Sequence, residues 1–367
     1  MLSRRGFLRR SIALGAGGLV CSTARAQALR GSVVDGAATL RAAAAARGIL
    51  YGSAVASAEF AETDFAEALA REAAILVPEY EMKRAIVEAV RGQYDFSGCE
   101  RILAFARAHD QQFRGHPLLW HKRNPAWLED AVRRSRDERV IADYVGTVVR
   151  RFRGRARSWD VVNEALAPAD GRPDNLRTSF WLETFGPHYI DIAYHAARAA
   201  DPEVLLVYND WGCELGAPAN DRFRAATLEF LEHALARGVP IGGLGLQGHL
   251  RAFGTPVDQK KLATFLTQIK SLGLRILVTE HDVDDSGGPA DIASRDRAVA
   301  DTSRRFLDVV LDAAPVAVLT WGLSDRFLDP PGLMAAFDGS SPRMLPLDGN
   351  LAPTPMWHAM MGAFAAR

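Results

Sequence analysis

Ile276-Leu277-Val278-Thr279-Glu280-His281-Asp282 is a short, continuously apolar run that stops at an acid. A strand with one face in water alternates apolar and polar residues, so an unbroken apolar run marks a strand covered on both faces. Working outward from it, the same pattern recurs at 49–55, 74–77, 112–118, 158–162, 204–208, 243–246 and 316–320, and with 275–279 it makes eight. Between these runs lie amphipathic stretches with helical spacing at 64–72, 98–109, 137–152, 189–200, 221–236, 258–271 and 294–313, and a last one follows at 355–366. Eight strand-then-helix units predict a single (β/α)8 TIM barrel of the α/β class. A doubly wound open sheet would call for a glycine-rich turn after an early strand, and Gly52-Ser53-Ala54 does not supply one.

In a parallel barrel the reactive groups collect where the strands end, at the carboxyl face. The ends here carry Glu79, Glu81 and Lys83, then His116, Trp120 and His121, then Asn163 and Glu164. They continue with Asn209, Asp210 and Trp211, then Gln247 and His249, then Glu280 and Asp282, and finally Trp321. Any one glutamate after a strand is more often a surface or helix-capping residue, and a lone tryptophan is more often core. Agreement across these strand ends outweighs those readings.

The chemistry available to such a cleft is cleavage of a glycosidic bond. That reaction needs a proton for the leaving oxygen and a negative charge near the developing oxocarbenium ion, and two carboxylates in different surroundings can divide the work. Glu164 and Glu280 are the expected catalytic pair. Asn163, His249 and Asp282 are the expected supporting residues, His249 and Asp282 by forming a hydrogen-bonded chain with Glu280. Flat indoles edged by polar groups suit sugar rings, whose faces are apolar and whose rims are polar. Trp120, Trp211 and Trp321 are the candidate platforms, edged by the Gln, Asn, His and Lys side chains of the strand ends, Asn209 among them.

The amino terminus reads Ser3-Arg4-Arg5-Gly6-Phe7-Leu8-Arg9, continues uncharged over 11–20, and reaches small residues at Ala24-Arg25-Ala26. This order is that of a twin-arginine export signal, too short to serve as a permanent membrane anchor. We therefore expect a signal peptide at 1–26, one catalytic domain at 27–367, passage through the twin-arginine export machinery, and a periplasmic or secreted product. The intact sequence balances 44 basic against 44 acidic residues; loss of the five arginines of the signal leaves 39 against 44, a net charge of −5. Such a surface gives nucleic acid or anionic lipid no electrostatic hold. A neutral polysaccharide is the expected partner, and the chain is expected to act as a monomer. Cys99 and Cys213 read as buried apolar residues with no disulfide between them, and no spacing of Cys or His suggests a metal site; no cofactor is expected.

At these motifs the sequence resembles glycoside hydrolase family 10, the barrel xylanases, in order along nearly the whole chain after the signal. The matching segments are Pro78-Glu79-Tyr80-Glu81-Met82-Lys83, Arg114-Gly115-His116-Pro117-Leu118-Leu119-Trp120-His121, Trp159 through Glu164, and Tyr208-Asn209-Asp210. Gln247-Gly248-His249, Thr279-Glu280-His281-Asp282 and Trp321-Gly322-Leu323-Ser324-Asp325 complete the series. The resemblance implies a secreted endo-β-1,4-xylanase working by double displacement, with Glu280 attacking the anomeric carbon and Glu164 acting as acid and then base. It also implies that Glu79, Lys83, His116, Trp120, Asn163, Gln247 and Trp321 line the non-reducing side of the scissile bond, and Trp211 the far side.

Three departures bear on the substrate. Tyr80 stands where the family usually has a sugar-binding asparagine, Arg84 where a tryptophan usually follows the lysine, and Arg326-Phe327-Leu328-Asp329-Pro330-Pro331 where a second tryptophan is common. Plain β-1,4-xylan is the first expectation, and a bacterial exopolysaccharide or decorated β-glycan the rival. Two readings of a different class are a non-catalytic carbohydrate-binding barrel, disfavoured because both glutamates are present, and an aldolase or phosphate-using isomerase. The latter calls for a strand-end lysine ready for Schiff-base chemistry or a glycine-rich phosphate loop. Lys83 is the only strand-end lysine, and the segment after the eighth strand bears a tryptophan instead.

Overall fold

The computed structural model describes residues 38–328 and 342–366. The signal segment and Asp329, Pro330 and Pro331 lie outside the described residues. Nine strands are present among those described: β1 (Leu50–Val55), β2 (Ile75–Pro78), β3 (Gln112–Phe113), β4 (Ser158–Asn163), β5 (Leu205–Asp210), β6 (Gly243–Leu246), β7 (His249–Arg251), β8 (Arg275–Asp284) and β9 (Ala317–Thr320). All eight strand positions expected from the sequence are occupied. The ladder order is β3-β2-β1-β9-β8-β6-β5-β4, parallel throughout, with β7 paired to the outer end of β8.

The two ends of that path meet. Parallel bridges Gly115–Trp159 and Leu119–Val162 join the segment following β3 to β4, so the curled sheet closes into a barrel. The third strand is shorter than the expected 112–118 because Pro117 has no N–H to give to a ladder and the chain passes close over Trp159. A Cβ on Gly115 would stand 2.0 Å from the Trp159 ring, which is why glycine is required there.

Burial on both faces explains the unbroken apolar runs. Ile276 and Val278 belong to the large core under the helices, whereas Leu277 packs with Ala54, Ile75, Val77, Val207, Ala317 and Leu319 in a separate cluster inside the barrel. Eight of the helices are those expected, among them Thr63–Glu72, Arg139–Arg151, Pro218–Ala236 and Ile292–Asp312. Helices at Leu40–Ala45, Ala126–Ser135 and Phe180–Phe185 were not expected from the spacing. Their short apolar stripes are recognisable only once their neighbours are known. Cys99 and Cys213 are buried free thiols. No helix among the described residues is long and apolar enough to cross a membrane.

One irregularity decides the site. β8 pairs with β9 as Leu277–Ala317 and Val278–Val318, but the next pair is His281–Thr320, so β8 carries one extra residue. Strict alternation from Leu277 would turn Glu280 outward, toward the helices. The extra residue reverses the parity, so Glu280 faces the barrel mouth and His281 the helical layer.

Candidate active site

Glu164 follows β4 directly and takes a left-handed backbone conformation, φ 55°, uncommon for a residue with a side chain. Three hydrogen bonds hold it there. Its N–H donates to the Asn209 carbonyl at 2.9 Å, and its own carbonyl accepts from Arg177 Nε at 2.8 Å while Arg177 Nη2 donates to Leu166 O at 3.0 Å. The carboxylate is buried. Gln247 Nε2 and Asn163 Nδ2 approach Oε1 at 3.3 and 3.4 Å, and Lys122 Nζ stands 3.7 Å from Oε2.

Glu280 is surrounded by donors. Asn209 Nδ2 donates to Oε1 at 2.7 Å, His249 Nε2 lies 3.1 Å from Oε2, and His116 Nδ1 lies 3.7 Å from Oε1. Burial on its own would raise the pKa of this carboxyl. The charge of His116, the hydrogen bond and charge of His249 and the Asn209 bond outweigh it and bring the group down to about 2. Glu280 is therefore a carboxylate throughout the ordinary pH range.

Asn209 joins the two acids. Its amide nitrogen donates both to Glu280 and to Asn163 Oδ1 at 2.9 Å, and its oxygen accepts from Thr279 Oγ1 at 2.6 Å. Because the ionised Glu280 can only accept, Asn209 must turn its NH2 toward it, and Asn163 must in turn present its oxygen to that NH2; the opposite orientation of Asn163 would set two NH2 groups face to face. Gly245 of β6 makes room for this arrangement, since a Cβ there would come within 2.3 Å of Asn209 Oδ1.

The imidazoles have their own supports. His116 Nδ1 is 2.9 Å from Asp160 Oδ2, and the other Asp160 oxygen is ion-paired with the fully buried Arg114. His249 Nδ1 is 2.9 Å from Asp282 Oδ1. The side chain of His249 is 36% exposed; the protein crowding its remaining surface would lower its pKa, but its contacts with Asp282 and Glu280 carry it well above the ordinary histidine value. Lys83 is buried among the rings of Tyr80, Trp120 and Trp321, with Nζ 5.0, 5.7 and 5.7 Å from their centroids. Burial lowers its pKa, against the pull of Glu79 and Glu280. The Trp321 ring meets His116 edge-on at 5.1 Å. Beside it opens a cavity of about 210 Å³ whose lining includes Glu59, Glu79, Tyr80, Asp282 and Phe327. Trp211 stands apart, 49% exposed, with its ring stacked on Phe223 at 6.3 Å.

The structure thus brings Glu79, Lys83, His116, Trp120, Asn163, Glu164, Asn209, Gln247, His249, Glu280, Asp282 and Trp321 to one mouth of the barrel. Sequence reasoning missed several partners: Lys122 beside Glu164, Thr279 behind Asn209, the Arg114–Asp160 pair beneath His116, and Glu59. Burial and then Glu79 push the Glu59 carboxyl up to about 8. Arg114, Asp160 and Thr279 all sat inside the quoted motifs; Glu59 carried no signal. Of the departures, Arg84 turns from the sugar-facing rings. It pairs with Glu88 at 2.8 Å and lies 4.0 Å from the Tyr144 ring. Arg326 reaches Asp64 with two bonds of 2.9 and 3.0 Å.

A closed (β/α)8 barrel with two buried, differently surrounded glutamates at its carboxyl face has the equipment that a glycoside hydrolase needs. The model of glycosyl hydrolase family 10 matches residues 39–363, and the chain belongs to that family. It is 32% identical over 302 residues to endo-1,4-beta-xylanase B of Thermotoga neapolitana, covering 81% of this chain and 82% of that one. It is 30% identical over 344 residues to endo-1,4-beta-xylanase 5 of Pyricularia oryzae, covering 90% and 80%. Among solved structures, xylanase 10B of Thermotoga petrophila RKU-1 in complex with xylobiose superposes with a TM-score of 0.80 at 28% identity, over 90% of this chain and 98% of that one. Native xylanase 10B of Thermotoga maritima gives 0.78 at 28%, over 89% and 98%.

Proposed function

We propose that this protein is a retaining endo-β-1,4-xylanase in which Glu280 is the nucleophile and Glu164 the acid/base. The observation that carries the division of roles is the environment of Glu280. A carboxylate held ionised at about 2 by two imidazoles and an amide is fit to attack carbon and unfit to donate a proton. Glu164 has the complementary place, next to Gln247 and Asn163 and within reach of a leaving oxygen.

In the first step Glu280 forms a bond to the anomeric carbon as the glycosidic bond breaks, and the proton of Glu164 passes to the departing oxygen. In the second, Glu164 takes a proton from water, the hydroxide oxygen bonds to the anomeric carbon, and Glu280 leaves as a carboxylate. Asn163, His249 and Asp282 support the pair. Glu79, Lys83, His116, Trp120, Asn209, Gln247 and Trp321 bind sugars on the non-reducing side or beneath the scissile bond, and Trp211 binds them on the far side. The names of the relatives support β-1,4-xylan as the substrate.

A second reading, a decorated β-glycan or an exopolysaccharide, is favoured by one observation. Tyr80 walls the cavity beside Trp321, and Arg326, in the segment where a second indole would be expected, is tied down to Asp64. Residues 1–26 act in this reading as a twin-arginine signal and 27–367 as one catalytic domain released to the periplasm or beyond. The test is a panel of β-glycans with the product anomer followed by NMR, together with Glu280→Ala. Turnover should vanish in the variant and return in part with azide, and the first product should keep the β configuration. Inversion, or near-normal rates in Glu280→Ala, would overturn the assignment.

A further inference from the structure

Between Gln247 and His249 the chain passes through Gly248 with φ +76°, where a Cβ would press on Phe306 and Val278. This turn aims the following imidazole. Both polar groups of Gly248 are held by buried side chains that the catalytic reading does not use. The Gly248 N–H donates to Glu214 Oε1 at 3.1 Å, and the other oxygen of Glu214 accepts from the Gly212 N–H at 2.8 Å. The Gly248 carbonyl faces His281 Nδ1 at 2.9 Å, and His281 Nε2 faces Ser303 Oγ at 2.9 Å.

The chemistry of the partners fixes the tautomer. A carbonyl can only accept, so Nδ1 must carry the proton; Nε2 then accepts, and the Ser303 hydroxyl donates. His281 is fully buried, and burial lowers its pKa, consistent with a neutral ring. The alternation of β8 beyond its extra residue completes the arrangement. Glu280 and Asp282 point to the same side and both touch the His249 ring, while His281 between them points the other way and holds the backbone that carries His249. Three consecutive residues of one strand thus grip one imidazole from both sides.

We infer that His281, braced by Ser303 and opposed by Glu214, is a positioning residue that sets His249 between Glu280 and Asp282. This rests on the reading of Glu280 as the nucleophile. A Leu at position 281 keeps the bulk and removes the donor; an Asn there places an amide nitrogen close to where Nδ1 stood. The expected result for His281→Leu is a fall in kcat on the order of 10- to 100-fold with KM changed less than about twofold, because the sugar-facing groups are untouched. His281→Asn should recover most of that loss. Ser303→Ala, which frees the ring to adopt the other tautomer, should fall in the same direction by a smaller factor.

A merely structural role would lower the melting temperature of all three variants without the kcat-selective loss and without rescue by Asn. The second readout needs no turnover: 15N NMR of the His249 ring should show both nitrogens protonated in the wild type and a loss of that signature in His281→Leu. Should His281→Leu fail to fold, Ser303→Ala read by the same NMR signature decides. An unchanged His249 ring and unchanged kcat in folded variants would overturn the inference. A wild type inert on every β-glycan with an intact His249 response would overturn the xylanase reading and leave the clamp standing.

Discussion

His249 Nε2 stands 3.1 Å from Glu280 Oε2, while Nδ1 of the same ring stands 2.9 Å from Asp282 Oδ1. An imidazole between two carboxylates is stabilised in its charged form, and Glu280 is stabilised as an anion in return. The loss of water around the buried Glu280 and over the covered part of the His249 ring works against both ionised states and loses. The pair is best treated as one titrating unit in which the proton stays on the histidine.

The pH consequence follows from the sign of the Glu280 shift. Its folded value, about 2, lies below the unfolded carboxylate value of about 4.3. The group therefore contributes stability that is present above about 4.3 and is lost as pH falls toward 2. His249→Asn removes the charge and keeps a donor. We expect the acid limb of kcat/KM on an aryl β-glycoside to move upward by about one unit or more, since each unit corresponds to about 1.4 kcal/mol of lost anion stabilisation. An acid limb that does not move would mean that His116 and Asn209 alone hold Glu280 ionised.

Asn209 is the junction between the two acids, and truncation should be felt in both stability and rate. Asn209→Ala takes a partner from Thr279 Oγ1, Asn163 Oδ1 and Glu280 Oε1; Thr279 keeps the Leu246 carbonyl at 3.1 Å and Asn163 keeps Gln247 Nε2 at 3.4 Å, whereas Glu280 Oε1 loses its hydrogen bond. A cost of about 1–3 kcal/mol in unfolding free energy is expected from one such group, with kcat reduced on the order of 100-fold. Chemical denaturation and single-turnover kinetics check the two effects separately. Retention of full rate would show that the chain through Asn209 is only structural.

Gly245→Ala attacks the same junction from beneath. The added methyl would need the space of Asn209 Oδ1, 2.3 Å away, and of Thr279 Cγ2, 2.9 Å away. Overpacking of this kind costs about 1–3 kcal/mol, and here it should also lower kcat by displacing Asn209. Gly349→Ala is the control, because nothing stands within 4 Å of its Cβ. Comparable behaviour of the two variants would sink the steric argument.

The fold was legible because its eight buried strands are written as unbroken apolar runs, of which 276–278 is typical. The acids were legible because they end those runs. What could not be read was the extra residue in β8: periodicity around Leu277 gives no hint that alternation reverses before Glu280, since the bulge is set by the pairing with β9. β7 was missed for a related reason, its three residues being too short to show a period and formed only where β8 extends to Asp284. Glu59 and Lys122 reach the site from a 3-10 turn and a loop whose paths depend on tertiary packing. By contrast, His249 and Asp282 could be placed beside Glu280 from their strand-end positions.

Substrate choice turns on Tyr80. Its ring forms part of the box around Lys83 Nζ, 5.0 Å away, and part of the wall of the cavity beside Trp321. Exchange for asparagine removes an apolar wall and supplies an amide that can bond a sugar hydroxyl. A single altered pocket contact discriminates substrates by about 1–3 kcal/mol, or roughly 10- to 200-fold. If Tyr80 disfavours unsubstituted chains, Tyr80→Asn should raise kcat/KM on linear β-1,4-xylo-oligosaccharides by about 10-fold or more relative to decorated ones. The Glu280-dependent chemistry should stay intact, which the rate on an activated aryl glycoside measures independently. A ratio within about twofold of the wild type would remove Tyr80 from the specificity argument. The remaining departures would then be Arg326, through its tie to Asp64, and the segment beyond Leu328, since Arg84 already spends its charge on Glu88 and its face on Tyr144.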